Sequence, residues 1–205
     1  YEDKVFANIV EKIEVDCKGH VSAGVLGIQH LMRGLTEHGN LELAYKIVTN
    51  ETYPSWGYMI RNGATTIWEL WNGDTANPAM NSRNHVMLLG DLLIWYYENL
   101  AGIKNDPSSV AFKKIWMEPV FPEKLDHVKA SYDSPYGKIG SSWQRTGDIL
   151  NWQITIPANT TATVKLPSRF GIKPDTNQSE IHTVKEIDGS ILIELGSGTY
   201  TLKSE

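Results

Sequence analysis

The sequence predicts an α+β chain of two bodies, helices to about residue 106 and an antiparallel β-sandwich over 107–205. Two periodicities carry that prediction. Apolar residues recur three and four positions apart in the first half, the repeat of a helix with one buried face. After Pro107 the repeat shortens to two and is cut every few residues by Pro, Gly or Asn, as in short strands joined by turns. A third observation separates the bodies in character: the densest cluster of aromatic rings, Tyr53 to Trp71, falls wholly in the helical half.

Taken in order, Val5, Phe6, Ile9 and Ile13 predict an amphipathic helix over 3–15. Asp16 to His20 reads as a polar turn around Gly19. Ser22 is a suitable N-cap for a second helix reaching about His38, with Gly39 as its stop. Its face is Val25, Ile28, Met32 and Leu35, and Leu41 to Val48 supplies a third helix. An aromatic loop follows. Beyond Asn72-Gly73-Asp74 and Asn77-Pro78, the spacing predicts the longest helix, from about Asn81 to Gly102. His85, Leu88, Leu89, Leu92, Trp95, Tyr96 and Asn99 share one face of it, Asp91 points away from that face, and Trp95 and Tyr96 are expected in the core.

In the second half Trp152, Ile154 and Ile156 alternate with polar residues, and the alternation resumes at Ala162, Val164 and Leu166. Pro157 to Thr160 between them reads as the tight connection of a hairpin. Further turn signals stand at Ser134-Pro135-Tyr136-Gly137, Asp188-Gly189 and Gly196-Ser197-Gly198.

Composition narrows the function. A net charge of −5 without a basic block argues against a nucleic-acid partner. No apolar run reaches membrane-spanning length. Cys17 is the single cysteine, so neither an intrachain disulfide nor a cysteine zinc site can form. The histidines, His20, His30, His38, His85, His127 and His182, are scattered, and no phosphate-cradling glycine loop is present. No metal or other cofactor is expected. Asn50-Glu51-Thr52, Asn159-Thr160-Thr161 and Asn177-Gln178-Ser179 fit the glycosylation triplet, a common pattern.

The chemistry concentrates in YPSWGYMIRNGATTIWELW, residues 53–71. Glu69 sits between Trp68 and Trp71, with Trp56 and Tyr58 upstream. A pyranose presents apolar C–H faces to rings and hydroxyls to the polar groups between them, so such a cluster suits a sugar cleft. The residues alone also admit a partly buried structural carboxylate. His85 likewise reads either as a satisfied core histidine or as a ligand of hydroxyl groups.

YPSWGYM, then GATTIWELW, then MNSRNH resemble in order and wording the active-site region of glycoside hydrolase family 78, the α-L-rhamnosidases. The resemblance implies the last helices of an (α/α)6 toroid followed by the β-sandwich, hence a chain lacking the N-terminal part of its own polypeptide. It implies an inverting hydrolase acting on a rhamnose-containing glycan or glycoside. Glu69 matches the family's general base; the general acid belongs to a motif in the first half of the barrel and is not matched here. Asp74, Asp91 and Glu98 are the nearest other acids, of which only Asp74 lies in a turn able to fold over the site. His85 matches the histidine that holds the sugar, and Asn84, Trp56, Trp68 and Trp71 are the expected neighbours of the ring. WELWNG stands where the family pattern is close to WERWDG, with Leu70 for Arg and Asn72 for Asp, and Arg83 replaces a common aromatic. The compartment that suits such an enzyme is periplasmic or extracellular.

Two other classes compete. A glycan-binding or structural module would work through its sandwich, with Trp143 and Trp152 as platforms. A polysaccharide lyase would need a basic cluster for uronate, and the sequence shows none.

Overall fold

A computed structural model describes residues 2–172 and 181–204. The chain divides into two compact units, Tyr1–Trp95 and Tyr96–Glu205. The triplet at Asn177 lies outside the described residues.

In the helical unit, α1 (Glu2–Glu11) runs on as a π-helical stretch, Lys12–Asp16. α2 (Val25–Glu37) packs against α3 (Leu41–Thr49) and against the short α5 (Leu92–Trp95). Ile28, Met32 and Leu35 of α2 are buried with Leu43, Ala44 and Ile47 of α3, so the predicted faces are the packed ones. α2 begins two residues later than a Ser22 cap implies, with Gly24 in the capping position. The aromatic segment is not wholly a loop. α4 (Trp56–Arg61) starts there because the Ser55 hydroxyl accepts the Tyr58 N–H at 2.9 Å. Gly57 permits its approach to α3, since a Cβ there would lie 2.3 Å from the Asn50 carbonyl oxygen.

The long helix expected from Asn81 to Gly102 does not form. Asn81 is extended, a 3-10 turn covers Val86–Leu89, and helical backbone resumes only at α5. Gly90 interrupts the pattern with φ +58°, and a Cβ at that position would come within 2.9 Å of the Ile28 carbonyl oxygen. The apolar spacing was real, but tertiary contacts decided the backbone. Asp91 corrects a second expectation. It is 2% exposed, and one of its carboxylate oxygens meets Arg33 Nε at 2.7 Å. A helix that stops at Gly90 no longer fixes where residue 91 points.

The second unit is a sandwich of two sheets. One has the order β1 (Ile103–Asn105), β2 (Lys114–Met117), β6 (Thr161–Pro167), β8 (Ser190–Leu195), β7 (Ile181–Ile187). The other runs β3 (His127–Ser134), β4 (Gly137–Thr146), β5 (Ile149–Ile156), β9 (Gly198–Lys203). Every pair is antiparallel except β2 with β6. Ser134 to Gly137 closes the β3–β4 hairpin, and Asp188-Gly189 closes β7–β8 with both residues at positive φ, as a type I′ turn requires.

Pro157 to Thr160 is no hairpin turn. β5 pairs with β4 and β9, β6 pairs with β2 and β8, and the connection carries the chain from one sheet to the other. Alternation marks both strands but says nothing about which neighbour each one pairs with. The core between the sheets takes Trp143, Trp152, Ile154, Val164, Leu166, Ile193 and Leu202. Trp143 donates to the Leu100 carbonyl and Trp152 to the Ser141 hydroxyl, which satisfies both indoles. Tyr96, expected in the core, is 37% exposed.

Candidate active site

The site is assembled by two extended segments of the helical unit lying side by side. The Glu69 N–H donates to the Ser82 carbonyl at 2.9 Å, and the His85 N–H to the Ile67 carbonyl at 2.7 Å. The Thr66 hydroxyl donates to the Arg83 carbonyl in the same seam. This ladder brings Glu69 and His85 into one cavity although sixteen positions separate them, and it is the reason Asn81 to His85 cannot be helical.

The cavity measures about 590 Å³. Glu69, Leu70, Trp71 and His85 line it from this seam; Cys17, residues 20–25, Tyr53, Pro54 and Leu88 complete the wall. Glu69 is its one carboxylate among the described residues. One oxygen, Oε2, accepts the Ser82 N–H at 2.8 Å. Among the described residues Glu69 has no ion pair, and neither its other oxygen nor the His85 ring has a hydrogen-bond partner. A carboxylate oriented through one oxygen keeps the other for a water or a hydroxyl.

The rings divide by task. Trp71 lines the cavity, held by its indole N–H on the Ala23 carbonyl at 3.0 Å. Trp56 is buried behind it, edge-on at 5.4 Å between centroids, with its own N–H on the Leu88 carbonyl. Trp68 is buried against Gly73, where a Cβ would lie 2.8 Å from the indole. Of the expected sugar neighbours, then, Trp56, Trp68 and the exposed Asn84 stand outside the cavity lining. Asp74 turns to the Tyr58 hydroxyl at 2.8 Å and does not line the cavity either. That hydrogen bond pushes the Tyr58 phenol above its ordinary pKa.

His20 and Cys17 line the cavity and were not foreseen there. The His20 ring donates from Nδ1 to the Cys17 carbonyl at 3.0 Å, and its Nε2 meets the Thr52 hydroxyl at 2.8 Å. Asn50 in turn accepts from Thr52. Both nitrogens are thus spent inside the protein, and His20 offers the cavity a fixed wall. No local signal in Gly19-His20-Val21 announces this; only the proximity of Thr52, 32 positions from His20, creates it. Among the described residues no group of three His, Cys, Asp or Glu side chains is placed to hold a metal ion.

Residues 1–100 match the family model of the bacterial α-L-rhamnosidase 6 hairpin glycosidase domain, and residues 102–179 that of the bacterial α-L-rhamnosidase C-terminal domain. The chain belongs to the bacterial α-L-rhamnosidase family. An α-L-rhamnosidase of Formosa agariphila is 36% identical over 96% of the chain. Among solved structures, the α-L-rhamnosidase from Dictyoglumus thermophilum superposes with a TM-score of 0.85 at 33% identity over 98% of the chain. The Streptomyces avermitilis α-L-rhamnosidase complexed with L-rhamnose gives 0.82 at 30% identity over 96%. The chain spans only about a fifth of each: 22%, 23% and 19% of their lengths respectively. The helical unit is a fragment of the six-hairpin domain, followed by the sandwich. Among the described residues no helix is long and apolar enough to cross a membrane.

Proposed function

We propose that this chain is the part of an inverting α-L-rhamnosidase that carries the general base. One observation supports the reading above the others: a single carboxylate, Glu69, opens into a ring-walled cavity with one oxygen tied to a backbone N–H and the other free. In such a reaction the free oxygen takes a proton from water as that water attacks the anomeric carbon of a terminal α-L-rhamnosyl residue. The leaving glycosidic oxygen needs a proton from a second carboxyl group ~6.5–9.5 Å away, the gap that admits the water. The cavity offers no second acid among the described residues. We place the general acid in a part of the polypeptide outside these 205 residues, in keeping with the fifth of its relatives' length that the chain spans.

His85, with its ring free to exchange hydrogen bonds with hydroxyls, orients the sugar from the same wall. The Trp71 face supplies an apolar platform, and Trp56 holds it edge-on from behind. The substrate class is a rhamnose-terminated glycan or glycoside, by extension from the relative complexed with L-rhamnose. No cofactor enters the reaction as written, and an extracellular or periplasmic setting suits it.

The test is Glu69→Gln in the intact enzyme. Loss of a general base costs about 10²–10⁴-fold in kcat, with the fold retained by circular dichroism. The parent should release β-L-rhamnose first, read by proton NMR before mutarotation. Turnover near the parent's in the Gln variant, or α-L-rhamnose as first product, would discard the proposal. The 205-residue chain by itself should show no turnover.

A further inference from the structure

We infer that Asn81 is a positioning residue for Glu69, a clamp that fixes where the base points without touching the sugar. Its side-chain oxygen accepts the Leu70 N–H at 3.3 Å, and its side-chain nitrogen donates to the Gly73 carbonyl at 3.2 Å. Those two backbone groups lie immediately after Glu69 and at the end of the turn that follows it. Both ends of one amide are thereby matched, donor to carbonyl and acceptor to N–H, so the orientation of the group is set by its partners. The next residue, Ser82, then presents its N–H to Glu69 Oε2 at 2.8 Å and accepts the Glu69 N–H at 2.9 Å.

The sequence of ties is what gives Asn81 its task. Ser82 can meet the carboxylate only if the two extended segments hold their register, and Asn81 locks that register one residue away. Asn81 lies outside the cavity lining, with both ends of its amide engaged by the backbone. A hydrophobic residue of the same size would leave the Leu70 N–H and Gly73 carbonyl without these partners, and Glu69 could swing away from Ser82. Displacements of an ångström in a reacting group lower rates by up to about 100-fold.

The inference rests on Glu69 being the base, and the experiment separates the two. In the intact enzyme, Asn81→Ala, Asn81→Asp and Glu69→Gln are assayed on p-nitrophenyl α-L-rhamnoside, with L-rhamnose affinity measured by calorimetry. Asn81→Ala should lower kcat about 10- to 100-fold while KM and rhamnose affinity stay within about twofold. Asn81→Asp keeps the acceptor for Leu70 but loses the donor to the Gly73 carbonyl, so it should recover only part of that loss. Amide hydrogen exchange across residues 67–71 should quicken in the Ala variant more than in the Asp variant. Parent-like kcat in Asn81→Ala with an inactive Glu69→Gln sinks the clamp and leaves the base standing. Kcat and rhamnose affinity falling together, or Asp no better than Ala, would reduce Asn81 to a general structural role. An active Glu69→Gln removes both ideas.

Discussion

The two units treat the same kind of residue in opposite ways. Trp143 and Trp152 of the sandwich are 1% and 0% exposed, with their indole N–H groups satisfied inside the unit. Trp71 of the helical unit is half-buried, its N–H tied to Ala23 and a face left to the cavity. The surfaces differ as well. Among the described residues, twelve large apolar side chains stand exposed in the helical unit against six in the sandwich. The sandwich closes a core between its own two sheets, whereas the helical unit presents Leu26, Ile60, Val86 and Leu93 to water. The family model it matches describes six hairpins, and we propose that the remaining helices of the same polypeptide cover those faces.

The strongest way to break the contrast is to truncate one ring on each side of it. Trp152→Ala should destabilise the sandwich by about 3–5 kcal/mol, the range for emptying a buried aromatic site. It also removes the donor to the Ser141 hydroxyl, which in turn donates to the Ala101 carbonyl. Trp71→Ala should cost stability far less and raise KM for rhamnosides in the intact enzyme. Urea unfolding followed by tryptophan fluorescence reads the first and steady-state kinetics the second. The glycan-platform role weighed for Trp143 and Trp152 has no physical basis left, because a ring with no exposed face cannot stack on a sugar. Equal losses of stability in the two variants would dissolve the distinction drawn here.

That contrast also explains what was legible in the sequence. Period and turn chemistry found the sandwich, since alternation and an Asp188-Gly189 turn are local properties of the chain. They did not find its sheet order, because Ile156 and Ala162 look like hairpin partners until the sheets they join are known. In the helical unit the faces of α2 and α3 were readable for the same local reason. The Asn81–Gly102 helix was not, since its fate turned on hydrogen bonds to Ile67 and Glu69 and on Gly90 meeting Ile28. Motif wording singled out Glu69 and His85 together. Only the three-dimensional structure adds His20 to their cavity and takes Trp56 and Trp68 out of its lining.

A middle-sized effect sharpens the claim about uncovered faces. Leu26, on the outer side of α2, is 83% exposed. In the 205-residue chain Leu26→Ser should move stability by no more than about 0.5 kcal/mol, as surface changes usually do. In the intact polypeptide the same change should cost about 1–3 kcal/mol if another helix buries that leucine. The comparison needs both proteins and a single denaturant series. An unchanged small effect in the longer protein would mean that this face is a true outer surface.

The smallest expected effect concerns charge, where the units again differ. Asp91 in the helical unit is buried and paired with the partly exposed Arg33, whereas Glu118 in the sandwich sits in a partly exposed cluster. Lys165 Nζ lies 2.8 Å from one Glu118 oxygen; Lys104 Nζ at 3.1 Å and the Trp116 indole at 3.0 Å share the other. Burial by itself pushes the Glu118 pKa up, but the Lys165 hydrogen bond, the Lys104 charge and the Trp116 donor outweigh it and hold the carboxyl below its ordinary 4.5. A carboxyl held low in the folded state binds a proton less readily than in the unfolded chain. Its contribution is therefore complete above about 4.5 and fades as pH falls through the folded value. Solvent screening limits the size, so the stability gap between the parent and Glu118→Gln should be about 1 kcal/mol or less at neutral pH. That gap should close on acidification, because the parent then carries a neutral carboxyl as the variant does. A gap that stayed constant from neutral pH down to acid would show that the cluster acts through packing of the lysine stems and the indole, and that charge has no part in joining β1, β2 and β6 on this face.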